Sequence, residues 1–213
     1  MDRRHFIAGA SAAALIPTSA KAELVCSPFD AWGIQQCTVG IPMPAIEASH
    51  VGSRQEMQNW CWAACISSIF SWHGHPVAQH RIVEKIFGGY ADLPATGEQI
   101  FYAVSGDWID DNGSPFRAHA GVLLDANYSF RDPNAAPLMA EDLAQRYPLI
   151  VGASGHATVV TALSYVQDVY RRYQITEVVI RDPWPLSPSR RALTPTEMNN
   201  AILLTRVRVQ SLL

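Results

Sequence analysis

RQEMQNWCWAACISSIF, residues 54–70, sets a cysteine between two tryptophans and then runs into small and apolar residues. From Cys61 to Trp72 apolar side chains occupy almost every position, the pattern of a helix buried in a core rather than one lying on a surface. Cys61 or a neighbour is its first residue. A thiol at that place feels the unpaired N–H groups and dipole of a helix N-terminus, which favour the thiolate. The structural alternative is a small buried core residue, a role that Cys65, one turn further on, fits better.

Around this helix the chain divides by texture. PVAQHRIVEKIFGG reads as an amphipathic helix closed by Gly88-Gly89, and TGEQIFYAVS as a third helix capped at Thr96. Beyond Gly113, HAGVLL, PLIVGA, HATVVTALSYV and QITEVVIRD read as strands rich in Val, Ile and Thr, with PLMAEDLAQRY a short helix among them. LTPTEMNNAI is a helix with Thr194 or Thr196 as cap, and LLTRVRVQ a last strand. A helical lobe followed by an antiparallel sheet lobe is an α+β arrangement.

The first residues stand apart. MDRRHFIAGASAAALIPTSAKAE has a basic start, an apolar middle and small residues at Ala20 and Ala22, the plan of an export signal over residues 1–22. Its apolar stretch is too short to span a bilayer. Arg3-Arg4 followed by Phe6 suggests the twin-arginine route; an ordinary secretory signal is the alternative. The destination is then periplasmic or secreted. Residues 23–50 read as an N-terminal extension or loop, with a Pro-rich connection at Ile41–Pro44, and residues 51–213 as one domain without a membrane span. A formal net charge of −3 offers nothing for nucleic acid.

Four cysteines, at 26, 37, 61 and 65, form no C-x-x-C pair, which argues against zinc. Cys26 and Cys37 flank a short Trp-containing loop, either as a disulfide or as two separate thiols. His73, His75 and His80 in WHGHPVAQH read as solvated loop histidines, because Gly74 and Pro76 interrupt any common helical face. No metal and no cofactor are implied.

A reactive thiolate needs a proton partner, usually a histidine from elsewhere in the fold. His156, in GASGHATVV, lies between a small-residue loop and an apolar strand; Asp182 ends the next apolar strand, which a hairpin with its tip near YVQDVYRRYQ returns beside His156. Such an aspartate fixes the imidazole tautomer and stabilises its charged form. The competing pair is His119 with Asp132.

With Gln55 six positions before Cys61, CWAA at 61–64, GHATVV around His156 and DPW at 182–184, the chain resembles the papain-like cysteine peptidases, and among them compact bacterial types such as plant-pathogen effector proteases and bacteriocin-leader peptidases. The resemblance implies a papain-like fold in which the nucleophile helix packs against a C-terminal antiparallel sheet lobe, acting on a protein or peptide substrate. It implies Cys61 as nucleophile, His156 as its partner, Asp182 as the residue orienting His156, and Gln55 with the Cys61 N–H as oxyanion donors; Gln58 is the rival amide. Trp184 would shield the Asp182–His156 contact, and Trp60 would either line a substrate subsite or pack in the core. MQNW replaces the CGSC of larger members, so the disulfide that pins their nucleophile loop has no counterpart here. The same chemistry serves a transglutaminase-like acyltransferase or transpeptidase, and a non-catalytic interaction module is the third possibility.

Overall fold

The computed structural model describes residues 22–49, 53–124, 130, 132 and 134–212; apart from Ala22 the export-signal reading falls outside them. The described elements follow the chain as β1 (Glu23–Cys26), β2 (Ile34–Gly40), α1 (Met43–Ala48), α2 (Cys61–Trp72), α3 (Gln79–Phe87), α4 (Gly97–Val104), β3 (Gly106–Ile109), β4 (Pro115–Leu124), α5 (Ala135–Ala144), β5 (Leu149–Ala153), β6 (His156–Asp168), β7 (Tyr173–Arg181), β8 (Arg190–Ala192), α6 (Pro195–Asn199) and β9 (Ala201–Ser211). All strands join one antiparallel sheet, running β1-β2-β6-β5-β9-β4-β3, with β7 and β8 branching from β6. The fold is α+β.

β6, thirteen residues long, is its spine. One edge of β6 carries β5 along His156–Val160 and then β2 along Ala162–Asp168; the other edge carries β7. Its alternating Val, Thr and Leu side chains are almost all buried, as expected of a strand covered on both faces. α2 packs against β6, and Ile66, Ile69 and Phe70 join Leu143, Ile150, Val160, Ile180 and Val207 in a single core. α5 is pinned to β9 by its buried Asp142, which accepts from Arg206 Nε at 2.7 Å.

The helix ends obey local chemistry. Thr96 and Thr194 each form a capping box, with Gln99 and Glu197 respectively, and Gly88 closes α3 in the left-handed region at φ 72°. Residues 23–50, read from the sequence as an extension or loop, contain β1, β2 and α1, and β2 is hydrogen-bonded to the spine. Pro44 lies within the first turn of α1, where the missing N–H of proline costs nothing. Cys26 and Cys37 face each other across the β1–β2 pair and form a disulfide. No helix among the described residues is long and apolar enough to cross a membrane.

The disulfide closes a hairpin of sequence separation 11, so replacing both cysteines by alanine is expected to lower unfolding free energy by about 2–3 kcal/mol through a less constrained unfolded chain. Urea unfolding of the double variant measures this; an unchanged midpoint contradicts it.

Candidate active site

Cys61 is the first residue of α2, half-buried, with its thiol beside His156. His156 owes its place to a two-residue hairpin. Between Ala153 of β5 and His156 of β6 the turn residues Ser154 (φ 52°) and Gly155 (φ 77°) are both left-handed, the I′ geometry that matches strand twist. His156 therefore stands at the very start of the spine strand.

Asp182 follows β7 directly, and the register Val159↔Arg181 brings it alongside the first residues of β6. Its carboxylate accepts from His156 Nε2 at 2.7 Å and from the Trp184 N–H at 2.9 Å through Oδ1, and from Arg191 Nε at 2.9 Å through Oδ2. With Nε2 committed to Asp182, Nδ1 of the ring is the nitrogen left for Cys61. The side chain of Asp182 is 2 % exposed, that of His156 27 %.

The electrostatics follow from these contacts. Burial of Cys61 raises its pKa, but the hydrogen bond and charge of His156, with the N–H groups of Ala157 and Trp62, outweigh it and lower the thiol below its usual value. Burial lowers His156, yet its bonds to Asp182 and Cys61 overcome this and lift it to about 9. Asp182 is pushed up by burial and pulled down further by His156, Trp184 and Arg191, to about 2. Cys65 is fully buried and its thiol is pushed well up, so it is the core cysteine.

The loop that carries Cys61 is braced without a disulfide. Arg54 Nη1 reaches the carbonyls of Asp182 (3.2 Å), Trp184 (2.6 Å) and Ser187 (3.0 Å), and the Gln55 N–H donates to Pro183 O. Buried Gln79 donates to Arg54 O and accepts from the Glu56 N–H. Asn59 pairs twice with Asp92, and the indole N–H groups of Trp60 and Trp62 donate to Ala91 O and Leu93 O. Sequence reasoning missed Arg54, Asp92 and Arg191, since nothing in their spacing announces a partner.

Several expected roles change. Gln55 is buried, and both hydrogens of its amide donate to loop carbonyls, Met57 O at 2.9 Å and Gln58 O at 2.7 Å. Its Oε1 is buried without a partner among the described residues. Trp60 is 0 % exposed and packs on Tyr90, so it is core and not a cleft wall: its indole N–H finds its acceptor only inside the protein. Trp184 reaches Asp182 through its backbone N–H. His75, expected in solvent, is buried between Asp110 Oδ2 (3.0 Å) and Ser211 Oγ (2.8 Å) and stacks on Phe116, tying the end of β9 to the β3–β4 turn. His119 is exposed on β4, three strands from β6 in the sheet, and Asp132 instead accepts from the Asn134 N–H at the start of α5.

A cavity of about 150 Å³ opens beside the thiol, lined by Cys61 and His156 together with apolar Trp62, Pro94, Ile100 and Leu203. Space of this size and character accepts an apolar side chain adjacent to a carbonyl held at Cys61.

No protein-family model matches the chain. No curated protein matches it either. Among solved structures it is similar to a double glycine motif protease from an AMS/PCAT transporter, in complex with the leader peptide, at 11 % identity and TM-score 0.42 over 75 % of this chain and 89 % of that one. It is also similar to UfSP from C. elegans, at 13 % identity and TM-score 0.46 over 93 % of this chain, which spans 40 % of that one.

The site makes one prediction that needs no substrate. Iodoacetamide at a pH below the ordinary thiol range is expected to modify Cys61 and spare Cys65, and His156→Ala is expected to shift Cys61 alkylation to higher pH. Peptide mapping by mass spectrometry reads both.

Proposed function

We propose that the chain is an exported papain-like cysteine peptidase that hydrolyses peptide bonds with Cys61, His156 and Asp182. The observation that carries this reading is the line of contacts itself: a thiol at a helix N-terminus, an imidazole beside it, and a buried carboxylate at 2.7 Å on the far ring nitrogen.

In this reading the Cys61 thiolate attacks the scissile carbonyl, forming the C–S bond while the carbonyl π electrons move to oxygen. The oxyanion meets the N–H of Cys61, one of the first-turn donors that lack an intrahelical acceptor. Gln55 contributes its amide by exchanging its longer bond, to Met57 O, for the oxyanion. Collapse breaks the C–N bond as imidazolium His156 gives its Nδ1 proton to the leaving amine. Water then attacks the thioester, His156 takes the water proton, and the acid product leaves the regenerated thiolate–imidazolium pair. The cavity holds an apolar side chain of the substrate close to the bond cut. The Cys26–Cys37 disulfide supports an oxidising destination outside the cytoplasm.

Cleavage of a peptide library, followed by mass spectrometry, tests the proposal: Cys61→Ala is expected to lose all cleavage while keeping the fold, and activity surviving in that variant would refute the nucleophile. Gln55→Ala is expected to lower kcat about a hundredfold if its amide serves the oxyanion; a change in stability alone would leave it as a loop brace. Turnover in the wild type should fall as pH rises through about 9, where His156 loses its proton. Asp182→Asn keeps an oxygen for His156 and the Trp184 N–H but turns an amide NH2 towards the Arg191 Nε–H and removes the negative charge that holds that proton, so its alkaline limb should move to lower pH with measurable activity retained, and Asp182→Ala should be slower still.

If the twin-arginine route is used, replacing Arg3 and Arg4 by lysine leaves unprocessed precursor in the cytoplasm. Normal processing of that variant points to the general secretory route.

A further inference from the structure

Asp182 faces two cations, and only one of them belongs to the proposed triad. β8 pairs with β7 so that Arg191 lies opposite Ile180. Side chains two apart on a strand share a face, so Arg191 is the diagonal neighbour of Asp182 from the side opposite β6. Its Nε donates to Asp182 Oδ2 at 2.9 Å, while Nη1 and Nη2 grip both oxygens of Glu197, at 2.9 and 2.7 Å. Glu197 is itself fixed by the capping box of α6, accepting from the Thr194 N–H and hydroxyl at 2.8 Å each. At the other end of α6, Asn200 Nδ2 approaches Ser154 Oγ at 3.4 Å, in the turn that presents His156.

Resting on the proposed triad, we infer that Arg191 is a positioning residue that sets the proton affinity of His156 through Asp182, and that Glu197 sets how strongly Arg191 does so. Arg191 occupies the Oδ2 oxygen and leaves Oδ1 to His156, so the carboxylate cannot rotate. Its positive charge stands behind the same carboxylate that stabilises imidazolium, and therefore opposes protonation of His156. Glu197, bidentate on the guanidinium, partly neutralises that opposition. Asp182 and Glu197 raise the affinity of His156 for its proton and Arg191 lowers it. The guanidinium fork suits this place because its three nitrogens satisfy two carboxylates in one plane.

The signs make the inference testable apart from catalysis. The His156 imidazole is titrated by NMR in the full chain, without substrate, and the alkaline limb of kcat/KM is recorded alongside. Arg191→Gln is expected to move both upward from the wild-type position by about half a unit to one unit, and Glu197→Gln to move them downward by a similar amount. Arg191→Lys keeps the charge but loses the fork, so the titration should stay within a few tenths of wild type while kcat falls. Mere loosening of the site would expose His156 and drive its pKa down towards 6.5 in the arginine variant, opposite to the expected direction. A downward or absent shift in Arg191→Gln overturns the inference. Should that variant not fold, Glu197→Gln decides: a downward shift upholds the coupling and an unchanged titration overturns it. A wild-type His156 that titrates near 6.5 with an unreactive Cys61 would sink the triad reading, whereas a raised wild-type value unmoved by either substitution sinks this inference alone.

Discussion

A carboxylate taken out of water must find enough donors to replace the water it loses, or it will not stay ionised. Asp182 meets that demand with three: the His156 ring, the Trp184 N–H and Arg191. Each comes from a different stretch of chain, and bringing them together requires β6, β7 and β8 to lie side by side in fixed register. The site is thus a consequence of the sheet. A slip of one residue between β6 and β7 would turn Asp182 away from His156 and leave its buried carboxylate without that donor. That cost ties the correct pairing of the sheet to the integrity of the site.

The second half of the site, the loop from Ser53 to Trp60, reaches the backbone around Asp182 from outside. Arg54 binds three carbonyls of the segment from Asp182 to Ser187, and the Gln55 N–H binds a fourth, so the segment holding the aspartate and the segment leading to the thiol are joined by their backbones. Polar side chains hold this loop in place of any disulfide: Gln79 spans two residues of the loop, and Asn59–Asp92 fixes its end to the segment before α4. The amide of Gln55 turns inward to two loop carbonyls, which is where sequence spacing is least informative: six residues before the cysteine places the glutamine in the right loop but says nothing of which acceptors its hydrogens choose.

What the chain discloses at the level of sequence follows the range of the force involved. α2, bounded at Cys61 and Trp72 as read, shows because burial reaches all round the helix and marks most of its positions. β5, most of β6 and the second half of β7 show for the same reason, and Thr96 and Gly88 because capping is a contact between residues at most a few apart. Residues 23–48 hide their strands behind turn-rich composition, and β2 becomes a strand because β6 offers it an edge. Trp60 and His75 are decided by tertiary burial: an indole and an imidazole look alike in sequence whether they face a cleft, the solvent or a core acceptor. Arg191 is the extreme case. Its partner is nine residues back across a hairpin whose loop, PWPLSPS, has no strand signal of its own.

The charge state of the pair at Cys61 and His156 is the last link from fold to chemistry. Burial alone would keep both groups neutral, since it raises a thiol and lowers an imidazole, and here it is the largest influence on each. What reverses it is their own hydrogen bond and mutual charge, with Asp182 behind His156 and, on the sulfur, the N–H groups of Ala157 at the start of β6 and Trp62 in the first turn of α2. Because His156 is lifted to about 9 while Cys61 is lowered, there is a span of pH below about 9 in which both are charged. Cys65, four residues along the same helix, has neither the imidazole nor the first-turn N–H groups, and burial wins there. The difference between a thiol that is lowered and one that is raised on α2 is one turn of helix, and it is set by where the N-terminus of that helix meets the beginning of β6.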